Sequence, residues 1–355
     1  MVAPHVSDTM KVRSLKPEEN EYYDEYLLRH RYSLFYHSSK YKDFLKNLLG
    51  CEEEYLLAVE GDTIQGILPL LFIERDGRRI YNSLPYYGSN GGIISDSDVA
   101  QRKLAEAYNE IALSTSTISA TVIMNPFCDH EVERFVYNFK DYRIGQFTLL
   151  SEGVNASSVD LMACIEASAR RNVKKAMSSG VSVERDGSQI ERLREMHQEN
   201  ISAIGGTPKS DAFFDLIPKY FHEGKDYDLY VAQKDGATVA ALLVFYFNRT
   251  VEYFVPATDA EHRSIQPLAL ILMTGLTEAR QRGFLRWNWG GTWPTQTGLH
   301  RFKRKWAAVD QPYSYLTQLN DLTVLTKTKA ELMEKFANFF VVPFTSLRSG
   351  EEDGQ

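Results

Sequence analysis

The same order of elements occurs twice along this 355-residue chain. In each half, two strand-like runs flank a Gly/Asp turn, and a third strand, a loop, a helix and another strand follow. The turns are Gly61-Asp62 and Asp235-Gly236, about one domain length apart. Because strands alternate with helices, the pattern predicts an α/β fold of two tandem domains, each a mixed, mostly antiparallel sheet flanked by helices.

The domain boundaries follow from this repeat. We predict an N-terminal domain over residues 1–153 and a C-terminal domain over 154–322, with the seam in the small, polar run 151–158. A C-terminal helix is predicted over 323–349, followed by an acidic, disordered tail over 350–355.

Composition limits the classes of function. The net charge of -7 argues against a protein that coats nucleic acid, DNA included, so a polyanion must meet a local basic patch. The three cysteines are far apart in sequence, which predicts neither a disulfide framework nor a metal site and favours the reduced cytoplasm. No apolar run is long enough for a membrane helix, so stable membrane insertion is not expected.

Several catalytic motifs are missing from the sequence. It contains no H-E-x-x-H, C-x-x-C, P-loop, G-x-G-x-x-G or G-x-S-x-G pattern. Zinc chemistry, Walker-type ATP use and serine-triad hydrolysis therefore lose support.

The stretch 282–309 is the strongest candidate site. It reads as a buried strand over 284–289, ended by Gly290 and Gly291, and then a short basic helix. An apolar row (Leu299, Phe302, Trp306) would hold Lys303 at the mouth of the glycine turn, where an oxyanion or phosphate would fit. The residues alone favour a simpler interpretation, an aromatic-anchored surface helix with solvated lysines.

A second basic tract, residues 170–175, lies late in a predicted helix over 160–179, where cations suit the helix C-terminus. If this helix and the one that carries the basic residues Arg301, Lys303, Arg304 and Lys305 flanked one cleft, they would form a diphosphate or RNA-end site. A solvated helix face is the simpler interpretation. His300 stands alone in sequence, and a lone histidine is more often structural.

The second half resembles the Fem-type aminoacyl transferases and their relatives in the GNAT (Gcn5-related N-acetyltransferase) superfamily. Three segments carry the resemblance: ARRNVKKAMSSGVSVE (169–184), VEYFVPATDAEHRSIQP (251–267) and GFLRWNWGG…GLHRFKRKWAA (283–308). The first half matches more weakly, through FYHSSKYKDFL (35–45) and LPYYGSNGGII (84–94).

The resemblance implies tandem GNAT-like domains and transfer of an acyl or aminoacyl group to an amine. The co-substrate would be acyl-CoA or aminoacyl-tRNA, whose acceptor end would then be a partner, and no cofactor would be tightly bound. The acceptor would be a small molecule or a precursor of the cell wall or a surface polysaccharide.

The resemblance also implies roles for particular residues. Lys303 would stabilise charge in the transition state, and Tyr253 would line the cleft as a second catalytic residue. Substrate-binding roles fall on the remaining candidates: Arg170, Arg171, Trp289, Gly290, Gly291, Arg263 and Gln266. One departure is clear, because residues 262–267 (HRSIQP) lack the glycines of the usual pyrophosphate loop. Helix N-terminal amides could still hold phosphate there.

The residues leave two questions open. No carboxylate stands out as a general base: Glu252 and Asp259 are candidates, each expected to be a surface acid. Two other functions also remain, a tRNA-dependent peptide-bond former in small-molecule biosynthesis and a non-catalytic binding protein that retains the fold.

Overall fold

A computed structural model describes residues 9–86, 90–150 and 161–347. The described parts of Met1–Arg143 and Pro312–Gln355 form one compact unit, and those of Ile144–Gln311 form a second. The units thus divide the chain differently from its linear order, because the last part of the chain packs with the first.

The elements of the N-terminal part are, in chain order, β1 (Met10–Ser14), α1 (Asn20–Arg29), α2 (Ser39–Leu49), β2 (Glu52–Glu53), β3 (Leu56–Glu60), β4 (Thr63–Leu68), β5 (Leu71–Arg75), β6 (Arg78–Asn82), β7 (Ile94–Ser95), α3 (Asp98–Ala112), β8 (Thr117–Ile123) and β9 (Phe139–Leu149). The remaining elements are α4 (Leu161–Cys164), α5 (Ala167–Ser178), β10 (Ser182–Arg185), α6 (Ile190–Ser202), α7 (Asp211–Tyr220), β11 (Tyr227–Lys234), β12 (Ala237–Phe247), β13 (Thr250–Thr258), α8 (Pro267–Gln281), β14 (Arg286–Thr292), α9 (Thr297–Arg304), β15 (Ala308–Leu319) and α10 (Lys329–Lys335).

The first unit contains two sets of paired strands. One has the order β1-β3-β4-β7 and is antiparallel, and α3 packs against it. The other has the order β15-β8-β6-β5-β2, in which only β6 and β8 are parallel. Ser97 caps α3 by accepting from the amide of Ala100, and the buried face of this helix joins the core through Leu104 and Tyr108.

The second unit has one mixed sheet of order β10-β11-β12-β13-β14-β9. Its neighbours are antiparallel except for β13 and β14. The β11–β12 hairpin turns at Asp235 and Gly236, both with positive φ, as the Gly/Asp pattern predicts. Both units therefore confirm the predicted fold class: mixed, mostly antiparallel strands with flanking helices.

Helices cover both faces of the second sheet. On one face, α5 and α8 pack together over alternate strand residues such as Leu242 and Val244. The residues between them turn the other way, and Phe245 contacts Phe221 just after α7. Helix α8 passes so close to the sheet that a Cβ on Gly275 would lie 3.0 Å from the ring of Trp287.

The structure corrects several sequence predictions. The long C-terminal helix is wrong, because the described residues after 322 form a 3-10 turn, the seven-residue α10 and another 3-10 turn at Phe344–Ser346. The helix over 160–179 is two pieces, α4 and α5. Residues 151–158 and the tail lie outside the described residues. No helix in the described ranges is long and apolar enough to cross a membrane.

Candidate functional site

The site lies where two parallel strands of the second unit separate. Strands β13 and β14 pair only from Thr250 to Glu252 and from Arg286 to Asn288. In the described remainder of both strands no further pair follows. The next residue on each strand, Tyr253 and Trp289, contacts the other with ring centroids 5.0 Å apart. Aromatic side chains therefore mark the point where the strands part.

A bulge in β14 supplies two backbone carbonyls. The register with β9 shifts between Asn288 and Gly291, so that Trp289 and Gly290 together face Gln146. Gly290 has φ +74°, a conformation that favours glycine. The two glycines therefore do not end the strand as predicted: β14 bulges at Gly290 and continues to Thr292.

Lys303 points its ammonium into this bulge. Its Nζ donates to the carbonyls of Gly290 (3.2 Å) and Gly291 (3.4 Å) and to the hydroxyl of Thr292 (2.6 Å). All eight residues of α9 are described, and Lys303 is the buried one, only 2% exposed. Burial lowers the pKa of Lys303 to about 8. The predicted partnership of Lys303 with the glycines is thus present, whereas the interpretation as a solvated lysine is wrong.

The ammonium is held in a way that suits charge stabilisation. Its three protons have three acceptors, and the two carbonyl contacts are long. A developing oxyanion could replace a carbonyl as acceptor while the short bond to Thr292 keeps the nitrogen in place.

An aromatic cluster packs between β14 and the end of α9. Trp289 contacts Phe302 and Trp306, and its indole N–H donates to the hydroxyl of Thr148. That hydroxyl donates in turn to the carbonyl of Trp306. The predicted apolar row is only partly correct, because Leu299 is 41% exposed and Trp306 follows the end of α9.

A polar chain behind Lys303 was not found from the sequence. The hydroxyl of Thr292 lies 3.4 Å from Oε1 of Gln146, whose Nε2 donates to Asp310 (3.2 Å). Asp310 also accepts from Nε2 of His300 at 2.9 Å, so His300 has a specific partner. The one available signal was a polar residue, Gln146, inside an apolar strand run.

The two basic helices meet at their ends. The amide of Glu166, just before α5, donates to the carbonyl of Lys305 at 2.9 Å. The contact brings the start of α5 next to the basic end of α9. Arg170 and Arg171 lie in the first half of α5 rather than late in the helix, so the C-terminal dipole argument does not apply to them, whereas Lys175 of the same tract lies in the last turn as predicted.

The two arginines differ in their surroundings. Arg170 donates to carbonyls at the end of α4, including those of Met162 and Ala163. Arg171 is exposed. The first therefore fastens α4 to α5, and the second faces solvent.

The loop before α8 is shaped without glycine. Gln266 has φ +62°, and its side chain donates to the carbonyl of Arg263, which lies in a 3-10 turn and is exposed. Pro267 then begins α8 at a position where its missing N–H costs no hydrogen bond. In the first turn of α8 the amide of Ala269 donates to the carbonyl of Gln266 at 3.0 Å.

The two candidate bases have different environments. Asp259 accepts from Arg192 (2.7 Å) and lies 3.1 Å from His262, whose hydrogen bond contributes most to lowering the pKa of Asp259. Glu252 is fully buried at the last pair of the β13–β14 ladder, so the expectation of a surface acid is wrong for Glu252.

One segment of the chain is similar to a known domain family. Residues 166–304 match the family model described as "Acetyltransferase (GNAT) domain". No curated protein sequence matches the chain.

Solved structures match over most of the chain. FemX is similar with a TM-score of 0.70 at 14% identity, over 88% of this chain and 98% of FemX. The C-terminal domain of a protein named as a lysylphosphatidylglycerol synthetase, from Agrobacterium fabrum, has a TM-score of 0.55 at 12% identity, over 89% and 96% of the two chains. L-PGS from Bacillus licheniformis has a TM-score of 0.52 at 12% identity, over 88% and 94%. The resemblance to Fem-type proteins is thus confirmed at the level of fold: residues 166–304 match a GNAT domain model, and the fold of the chain is similar to that of FemX.

Proposed function

We propose that this protein is an N-acyltransferase that moves an acyl or aminoacyl group from acyl-CoA or aminoacyl-tRNA to an amine. The observation that carries the proposal is the buried ammonium of Lys303, held against the β14 bulge beside the fork of β13 and β14. A preorganised donor in a water-poor site is what a tetrahedral oxyanion needs.

The reaction can be written with the groups present. The neutral amine attacks the ester or thioester carbonyl, a C–N bond forms and negative charge develops on the carbonyl oxygen. Lys303 stabilises that charge, the C–O or C–S bond breaks and the carrier leaves. The amine proton passes to solvent or to a base; of the two candidates, Glu252 lies at the fork and Asp259 is already engaged with Arg192.

The remaining site residues have proposed binding roles. Tyr253 and Trp289 would line the cleft with Gly290 and Gly291. Arg263 and Gln266 would lie against the donor's phosphates at the start of α8. Arg171 and the exposed cations Arg301 and Arg304 would meet an anionic group of the carrier or acceptor. Arg170 is the weakest of these candidates, since it already caps α4.

The acceptor we propose is an amine of a cell-wall or surface-polysaccharide precursor in the cytoplasm. The support is the similarity in fold to FemX; the neighbours named for lysylphosphatidylglycerol synthesis make a lipid-linked acceptor a second substrate to screen. A tRNA-dependent peptide-bond former would use the same site, with the start of α5 and the basic end of α9 near the tRNA end. A non-catalytic protein would keep the fold and bind no donor.

A thermal-shift titration separates these functions. The purified protein is titrated with coenzyme A, several acyl-CoAs and, separately, aminoacyl-tRNA. A ligand at about 100 times its dissociation constant stabilises the native state by about 2.7 kcal/mol. A saturable thermal shift with acyl-CoA that is weaker in Arg263→Ala identifies acyl-CoA as the donor. A shift with aminoacyl-tRNA but not with uncharged tRNA identifies aminoacyl-tRNA as the donor. No shift with any carrier would contradict the transferase and favour the binding protein.

A further inference from the structure

The hydrogen bonds of Lys303 continue into the sheet through Thr292 and then Gln146. The Nζ of Lys303 is 2.6 Å from the hydroxyl of Thr292, the shortest of its three contacts. Thr292 is fully buried, and so is Gln146 beyond it. Polar side chains this deep in a sheet need partners, and each partner restricts the orientation of the next.

The direction of each hydrogen bond can be assigned. Nε2 of Gln146 donates to the carbonyl of His300 (3.3 Å) and to Oδ1 of Asp310 (3.2 Å), and both oxygens act as acceptors. The amide therefore turns its Oε1 to Thr292. The hydroxyl of Thr292 sends its one proton to that oxygen at 3.4 Å and presents a lone pair to Lys303.

The far end of the chain is also fixed. Asp310 accepts from Nε2 of His300 at 2.9 Å and lies 3.4 Å from a nitrogen of Arg304. Besides Lys303, the charged or titratable side chains that the described residues contribute to this hydrogen-bonded network are Asp310, His300 and Arg304. His300, Lys303 and Arg304 all belong to α9, so the helix that carries the lysine also anchors the outer end.

We propose that Thr292 and Gln146 are positioning residues that hold the Lys303 ammonium against the β14 bulge. The Asp310–His300 pair fixes the amide of Gln146 in the orientation that this requires. The catalytic use of Lys303 rests on the proposed function, but its positioning does not. These side chains fix the hydrogen bond from Lys303 to Thr292 and leave the two longer bonds, to the carbonyls of Gly290 and Gly291, exchangeable.

The test is a titration of Lys303 that needs no substrate. In protein labelled with [13C]lysine, the Cε resonance of Lys303 is identified by its loss in Lys303→Arg and followed against pH. Thr292→Val keeps the shape and removes the acceptor, so the pKa of Lys303 should fall by about one to two units, the size of a hydrogen bond to a charged group. Thr292→Ser should restore it.

A matched control is available in the same unit. Thr148 is a buried strand threonine that accepts from Trp289 and donates to Trp306 without contacting Lys303. Thr148→Val should leave the titration of Lys303 unchanged. If Thr292→Val does not fold, Thr292→Ala answers the same question. An unchanged titration in the Thr292 variant, or an equal shift in Thr148→Val, would overturn the proposal.

The outer pair has its own test. Asp310→Ala should lower the pKa of Lys303 by less than Thr292→Val does, since the amide keeps one acceptor. Asp259→Ala removes a second His–Asp pair found among the described residues of this unit, the pair with His262, and should leave the pKa of Lys303 unchanged. Equal effects of the two alanine variants would exclude Asp310 as the anchor. Once turnover is measurable, Thr292→Val should lower kcat and leave KM unchanged. If Thr292→Val lost transferase activity without a change in the pKa of Lys303, the positioning role would be contradicted and the proposed function would stand.

Discussion

The ammonium nitrogen of Lys303 lies 2.6 Å from the hydroxyl oxygen of Thr292, whereas the carbonyls of Gly290 and Gly291 are 3.2 and 3.4 Å away. One short bond and two long ones give a buried cation a fixed position and exchangeable protons.

Lys303→Ala should reduce turnover about 100-fold while the protein stays folded. Removing one oxyanion donor typically raises the barrier by about 2.7–4 kcal/mol. Turnover is measured with the donor found by thermal shift, and folding is checked by circular dichroism. Lys219→Ala, on the exposed side of α7, is the control. Full activity in Lys303→Ala would remove this residue from the mechanism.

Stability should increase between pH 8 and 10.5 because of Lys303. Burial lowers the pKa of Lys303 to about 8 from 10.5, so in this window the unfolded chain binds more protons than the folded one. The gain from this group is about 3 kcal/mol at most, at 1.36 kcal/mol per pKa unit. Denaturant midpoints across this window should rise less in Lys303→Met. An identical slope in the variant would refute the shift.

Stability should decrease as the pH falls from 6.5 to 4, because His37 is buried. Burial lowers the pKa of His37 to about 4, so folding is opposed by protonation in this window and the loss reaches about 3 kcal/mol. His37→Gln should flatten the acid slope, measured by urea unfolding. The same substitution at exposed His222 is the control. A slope unchanged in His37→Gln would show that other groups dominate.

Two glycine substitutions should have opposite effects. A Cβ on Gly275 would lie 3.0 and 3.3 Å from two atoms of the fully buried Trp287 ring, so Gly275→Ala should cost about 1–3 kcal/mol. A Cβ on Gly298 in α9 meets nothing within 4 Å, so Gly298→Ala should be neutral or stabilise by up to about 1 kcal/mol. Guanidinium midpoints measure both. A tolerated Gly275→Ala would mean that Trp287 can move.

Asp228→Ala should destabilise the protein by about 3 kcal/mol. This buried carboxylate accepts from Tyr246 (2.8 Å), Arg282 (3.0 Å) and Arg185 (3.2 Å), and its loss takes one buried acceptor from each of these donors. Glu195→Ala removes an exposed ion pair with Arg192 and should cost under about 1 kcal/mol. If Asp228→Ala and Glu195→Ala changed the unfolding midpoint equally, the greater contribution expected of the buried carboxylate would be contradicted.

Part of the site was predictable and part was not. The spacing of Gly290, Gly291 and Lys303 indicated their partnership, because the turn and the short helix are adjacent in sequence. The roles expected of Tyr253, Arg171, Arg263 and Gln266 stay predictions. Gln146 stood out only as a polar residue in an apolar strand run, and its partnership with Thr292 and Asp310 was not predictable, because the three meet only when β9, β14 and β15 come together.

Local pattern was enough to predict the fold class, the Gly/Asp hairpin turns and most of the order of helices and strands, because these depend on neighbours within a few residues. Long-range contacts, in contrast, place Gly290 in a bulge, bury Lys303 and Glu252, direct Arg170 to cap α4, and pack the last part of the chain with the first. Burial and hydrogen-bond partners are set by contacts between residues far apart in sequence, and no local pattern records them.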